Sequence, residues 1–450
     1  TEANRAKLYV NGVLQAVTGT YPSQNDDGTF NNAVAHQLGT SYSTTNHLDG
    51  YLAEVHFIDG TALTPTSFGE TGDYGEWKPI EVSGLTYGTN GFYLPFKQDY
   101  TVEGFSAVTY KGTGASHYIG GTGFSPDLVW IKDRTHTETH RIFDSVRGVQ
   151  KNLTTGTHAE WTDANSLTSF DTDGFTVGSE NAVNGASGHP FVAWCWDMGS
   201  STVSNTDGSI TSSVRANTTY GQSIVSYTGT GSTATVGHGL DSAPNMIMLH
   251  HRTNDGADWK VQHTSLTDGN KVLYLNAAVA EQNESDKFGA FAGATTFPLN
   301  GSHASVNANN STYIAYCFHN VTGYSSFGSY TGNGGTTGNT TTVGFKPAFL
   351  LIKKNADEGW QMVDATRNPI NPVNTSLTPI NTNAERSDLL SFDFSSTGFV
   401  PKSSDSSCNS SGATYIYMCF ADKREYAYWL DNSGNNNDWT SNNLTESDIM

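Results

Sequence analysis

Residues 191–196 read Phe-Val-Ala-Trp-Cys-Trp, and the pattern returns as Tyr-Ile-Ala-Tyr-Cys-Phe at 313–318 and Tyr-Ile-Tyr-Met-Cys-Phe at 415–420. Upstream of each lies an apolar run led by proline: Pro126-Asp-Leu-Val-Trp-Ile-Lys132, Pro244-Asn-Met-Ile-Met-Leu-His250 and Pro347-Ala-Phe-Leu-Leu-Ile-Lys353. Further upstream stands a tyrosine followed by a glycine turn, YKGTG (110–114), YTGTG (227–231) and YTGNG (330–334). The tyrosines are 117 and then 103 residues apart, the cysteines 122 and then 102. Three landmarks in one order and at nearly fixed spacing define three homologous units, near 104–198, 221–320 and 323–422. Each is too long for a solenoid repeat and long enough to be a domain with its own core.

The repeat decides how the cysteines are read. Cys195, Cys317 and Cys419 hold one position per unit, and only Cys408 is left over. A disulfide needs a partner Cα within about 7 Å, yet units 1 and 2 have no second cysteine. No His or carboxylate recurs beside the thiols. They are therefore expected as small buried hydrophobes on a core strand, with a Cys408–Cys419 bridge as the minor alternative. On that strand Val192, Trp194 and Trp196 point one way and Phe191, Ala193 and Cys195 the other. Both faces are apolar, so both must be covered. One face goes to a second sheet; the other needs a loop, a neighbouring domain or another subunit.

Composition agrees with an all-β chain. Its 450 residues are rich in Gly and carry 12% aromatic but only 15% charged side chains, which suits short strands and many turns and excludes a disordered profile. The net charge of −20 argues against nucleic acid and anionic membrane surfaces, since both reward clustered Lys and Arg. No apolar run reaches the roughly 18 residues needed to span a bilayer as a helix.

Before the repeats, Lys7-Leu-Tyr-Val-Asn-Gly12 predicts a hairpin at Asn-Gly. His36-Gln-Leu-Gly39, Asp49-Gly-Tyr-Leu-Ala-Glu-Val-His-Phe-Ile-Asp59 and Gly88-Thr-Asn-Gly-Phe-Tyr-Leu94 follow. Together these motifs resemble the C-terminal half of a laminin-G/concanavalin A-like lectin domain, in the version found in structural proteins of marine tailed phages. The three units resemble an uncharacterised repeat of those proteins, with FSPDLVWIKDR (124–134), FDSVRG (143–148), DANSLTSFDTDGFTVGS (163–179) and VAWCW as signature. Unit 2 lacks the FDSVRG equivalent; unit 3 keeps Asp364-Ala-Thr-Arg367. The resemblance implies a partial concanavalin A-like sandwich at 1–100, β-sandwich repeats at 101–200, 201–322 and 323–424, and a linker or tail at 425–450. A complete lectin sandwich is longer than 100 residues, so the chain is expected to be the later part of a longer polypeptide.

Catalytic signals are weak. Glucanases on the lectin fold carry paired carboxylates on alternate strand positions, but here the strand offers Glu54, His56 and Ile58, and Glu54 reads as solvated. His250-His251 takes the slot of Lys132 and Lys353, a polar strand end suited to surface or loop-capping histidine. Calcium is a weak possibility at Asn25-Asp-Asp27 and at Asp171 and Asp173, whose D-x-D-G turn also serves the backbone alone; no other cofactor is expected. Trp161, Trp259, Trp360 and Trp439 lie in polar contexts, where an indole can hold a sugar face. Trp259 and Trp360 recur at similar unit positions, which favours structure for them and leaves Trp161 and Trp439 as ligand candidates. The sequence thus predicts a non-enzymatic virion protein, a tail fibre or surface appendage that binds host glycan or receptor. Its expected partners are other virion proteins and further copies of itself, as a trimer by family analogy. The alternative is a purely structural decoration or tail component.

Overall fold

A computed structural model describes residues 6–19, 23, 31–40, 46–50, 52–96, 104–185, 188–421, 431, 433–435, 437 and 439. They form two compact units, one from 1–98 with 427–443 and one from 99–426 with 444–450. The architecture is all-β, with short helical turns between strands.

In the larger unit each repeat builds an antiparallel sheet with the cysteine strand inside it. These strands run Pro190–Trp196, Thr312–Phe318 and Thr414–Ala421. Each pairs on one side with the tyrosine strand (Phe105–Lys111, Gln222–Thr228, Ser325–Thr331) and on the other with the proline-led strand (Leu128–Asp133, Met246–His251, Pro347–Lys354). Beyond the latter comes a fourth strand, Arg141–Asp144, Lys260–His263 or Gln361–Asp364. A smaller sheet, such as Leu167–Asp171, Gly174–Val177 and His117–Gly120 in repeat 1, closes a sandwich over one face. Phe191, Ala193 and Cys195 pack there with Phe175 and Val177.

The turn after the tyrosine is built the same way three times. Tyr110, Tyr227 and Tyr330 donate their hydroxyls to the carbonyls of Val183, Val306 and Cys408 at 2.6–2.7 Å. Buried Asn184, Asn307 and Asn409 accept from the turn's backbone N–H at 2.7–3.0 Å. The first turn glycine is needed for close approach: a Cβ on Gly112, Gly229 or Gly332 would lie 2.3–2.5 Å from a backbone oxygen. The second, Gly114, Gly231 or Gly334, has φ of +67° to +74°, the left-handed region that costs other residues energy. Cys408 thus fills the place of Val183 and Val306, and all four cysteines are buried and outside any disulfide.

What covers the second face is the pair of sibling repeats. Val192, Trp194 and Trp196 join Ile314, Tyr316 and Phe318, and Ile416, Met418 and Phe420, in one shared core. Trp196, Phe318 and Phe420, each following its cysteine, form a triangle of rings 5.8–6.4 Å apart. Those faces are spent inside one chain, so self-association has to use other surfaces.

The contacts around this centre run cyclically. Equivalent side chains His140, Trp259 and Trp360 reach carbonyls of the neighbouring repeat, at Thr378, Thr154 and Tyr274 respectively, over 2.8–3.1 Å. Arg134 pairs with Glu385, Arg252 with Glu160, and Asn355 with Glu281. Asp144 accepts from the Tyr316 hydroxyl at 2.7 Å, and Asp364 from the Trp194 indole at 3.1 Å. The third member of that set is His263, whose Nε2 lies 3.2 Å from the Tyr417 carbonyl. Each repeat docks its fourth strand on the next one's cysteine strand, and the third docks on the first.

This explains the missing motif of repeat 2. In FDSVRG, Asp144 accepts from the Val146 and Arg147 N–H groups and from Arg147 Nε, both side chains fully buried. Asp364 and Arg367 repeat the pair. Repeat 2 has His263 and Leu266 instead, and the His263 Nδ1 takes the Ser265 N–H. The ion pair is replaced by an imidazole and a hydrocarbon that need no counter-charge.

In the smaller unit Tyr9–Val10 pairs with Val13–Leu14 across Asn11 and Gly12, both with positive φ, the turn that Asn-Gly favours. Val55–Phe57 pairs with Phe92–Leu94. The segment expected as a linker packs back here: Asp431 accepts from Tyr93 N–H at 2.9 Å, and the Asn435 and Asn437 amides donate to the Gly91 carbonyl.

Candidate ligand groove

Repeat 1 extends its large sheet with Lys151–Thr154 and a short edge strand, Trp161–Thr162, in which Trp161 pairs with Asn152. The turn between them is tied down from repeats 2 and 3. Asp255 accepts from Ala159 N–H, Gly256 N–H donates to Thr157, and the Thr155 hydroxyl donates to Pro379. A groove of about 440 Å³ opens beside this turn, lined by Arg141, Thr154, His158, Glu160, Trp161 and Asp255 among others.

Trp161 is half-buried, and the Arg141 guanidinium lies 5.1 Å from its ring centroid. Arg141 Nη2 bonds Glu180 at 3.1 Å and Nη1 bonds the Thr139 hydroxyl, while among the described residues the buried Nε has no hydrogen-bond partner. Burial works to raise the Glu160 carboxyl, but Arg252 and Arg147 outweigh it and hold it below its usual range. Glu160 is thereby committed to two guanidiniums and suits holding rather than proton transfer. An indole, a guanidinium and hydroxyl-bonding groups around an open groove of mixed polar and apolar lining fit a neutral polyhydroxylated ligand. A second open groove of about 650 Å³, with Ser125, Asp197, Arg215 and Asn217, is polar and has no indole. Its Arg215 is taken by Asp127 at 2.7 Å.

The other expected site residues fall elsewhere. Trp439, in the smaller unit, packs edge-on against Phe92 at 5.1 Å and is half-buried. Trp194, Trp196, Trp259 and Trp360 are fully buried. Asp173 accepts from Gly121 and Gly123 N–H, and Asp171 from Ser169 and Thr176 hydroxyls, so both carboxylates serve the hairpin. Residues 25–27 lie outside the described residues. Glu54 stands just before the strand Val55–Phe57 at φ +52°, with its side chain partly exposed and accepting from the Tyr93 hydroxyl at 2.7 Å. His56 stacks on Tyr93 at 4.3 Å beside it. Nor is the slot of His250 a surface one. His250, Lys132 and Lys353 are completely buried and cap loop carbonyls, and burial pushes both lysines down to about 8.

Sequence reasoning passed over Arg141. Its signal was available, since Lys260 and Gln361 hold that position in the other repeats and Trp161 has no tryptophan equivalent there.

No curated protein and no solved structure matches the chain. One family model, described as a domain of unknown function (DUF7483), matches residues 101–424. That span takes in all three repeats together, as their shared core requires of a single folding unit. The chain belongs to this family, DUF7483.

Proposed function

We propose that the chain is a non-enzymatic structural protein of a virion, a tail-fibre or surface-appendage component whose repeat ring carries a glycan-binding groove at Trp161. The observation that carries the binding reading is the half-buried Trp161 indole beside the Arg141 guanidinium in an open groove of mixed polar and apolar lining. The virion assignment is supported by the sequence resemblance to tailed-phage structural proteins, and the partial lectin reading of residues 1–100 has the same support. The ligand is a host surface glycan, held weakly per site and strengthened by copy number. The net charge of −20 supports such a ligand over a polyanion.

Glycan-array binding and adsorption to candidate host cells test this with the full chain. W161A should weaken glycan binding at least tenfold, the loss of about 1.4 kcal/mol of stacking. Binding that survives W161A unchanged refutes the groove. A second reading, a purely structural decoration or tail component, is favoured by how many buried polar groups serve only to join repeats. No binding to any glycan or cell would select it.

A further inference from the structure

We propose that repeat 1 carries a divalent transition-metal site of the zinc class, formed by Asp133, His136 and His189. Asp133 ends the proline-led strand and is fully buried. Its Oδ1 is used locally, accepting from Thr135 and His136 N–H at 2.8 and 2.9 Å. Among the described residues its Oδ2 is buried and has no hydrogen-bond partner. Beside that oxygen stand His136 Nδ1 at 3.2 Å and His189 Nδ1 at 3.5 Å. All three ligand atoms lie within 4.8 Å of one another.

Tetrahedral zinc holds N and O ligands at about 2.0–2.1 Å, which places neighbouring ligands roughly 3.3–3.4 Å apart. The two carboxylate–imidazole separations bracket that value. The rings of His136 and His189 are stacked at 3.8 Å and 13°, so ligation turns one of them until both lone pairs converge. The His136 side chain is 49% exposed, and ligation exchanges the contact of its Nδ1 with the Thr135 hydroxyl, 2.9 Å, for the ion. Gly185 keeps space open at the other: a Cβ there would stand 3.1 Å from His189 Nδ1. Two imidazoles and one carboxylate select a borderline cation over calcium, and leave a fourth position to water.

The trio does not belong to the common scaffold. The equivalent positions are His251, Asn254 and Ser311 in repeat 2, and Lys354, Asp357 and Ala413 in repeat 3. The groups that join the repeats recur around the ring, whereas this set was assembled once. A bound ion would cross-link the start of the cysteine strand to the loop after the proline-led strand. It shares no residue with the Trp161 groove, and its fate is independent of the glycan reading.

Titration of the purified full-length chain with Zn²⁺, read by calorimetry and by the visible spectrum of the Co²⁺ form, tests the site. One ion per chain and a tetrahedral Co²⁺ spectrum are expected. H136A and H189A should each weaken zinc binding by more than about 100-fold, because losing a group that merely orients a ligand already costs 10–100-fold. D133N keeps the Oδ1 acceptor of the turn, and a parent-like urea transition of this variant separates its loss of zinc from unfolding. H36A, at an exposed histidine of the smaller unit, should bind as the parent does. No stoichiometric binding at about 100 μM Zn²⁺, or binding untouched by H189A and D133N, overturns the proposal.

Discussion

Exchanging Asp144 and Arg147 for the residues that repeat 2 uses separates two accounts of the FDSVRG motif. In R147L the Asp144 carboxylate stays buried with only neutral donors, the Val146 and residue-147 N–H groups and the Tyr316 hydroxyl. Breaking a buried pair by removing one partner costs about 3–5 kcal/mol. In D144H/R147L the introduced imidazole can take the backbone N–H on Nδ1, as His263 does with Ser265. Its Nε2–H then faces the Tyr316 hydroxyl, which can turn from donor to acceptor. The double variant should therefore regain the part of the loss that comes from the unpaired Asp144 carboxylate and lie clearly above R147L, short of the parent by what the Lys151 and Ile142 carbonyls and Glu160 lose with Arg147. The matching graft in repeat 3, D364H/R367L, has no such escape. Its imidazole N–H meets the Trp194 indole, a donor only, and one buried donor goes unpaired at a further cost of about 1–3 kcal/mol. Urea unfolding at pH 7.5, followed by tryptophan fluorescence, measures all of these, and the double-mutant cycle isolates the coupling. A cost below about 1 kcal/mol for R147L, or equal costs for the two grafts, would refute this account of the repeat joints.

Acid should loosen the repeat ring before it reaches the carboxylates. Burial holds His250 and His263 down to about 4, against an ordinary value of 6.5. Their folded values are depressed, so their contribution is complete above about pH 6.5 and is lost as pH falls toward 4. The loss is on the order of 3 kcal/mol per histidine. Asp127, which burial raises to about 6, acts in the opposite sense and offsets part of it. The urea midpoint should fall from pH 7.5 to 4.5; a flat profile would contradict the burial of these imidazoles. All four thiols are buried, and burial pushes Cys408 up to about 12 and Cys317 and Cys419 also upward. A thiol reagent should titrate none of them in the native chain and four in denaturant, and rapid labelling of any native thiol would count against the filler role.

The sequence made the repeat and its two-faced cysteine strand legible because strand alternation is local and the landmarks recur. What covers the second face was not, since Asp144 and Tyr316 are 172 residues apart and neither marks itself as half of a joint. Trp161, Trp259 and Trp360 show why composition fails at this step. All three sit among polar neighbours, yet two plug into an adjacent repeat and one lines a groove. FDSVRG was visible as a signature, but its task depends on a partner strand from another repeat. The Asp133 trio escaped for the same reason, its last member lying 53 residues beyond His136.

A trimer of identical subunits must accept every substitution at three places at once. Here the ring is closed by one continuous chain, so each joint and each rim can change alone. Among the described residues, the histidine–leucine joint, the Trp161 groove and the Asp133–His136–His189 cluster each belong to one repeat. Within one chain a near-symmetric framework can thus carry a front.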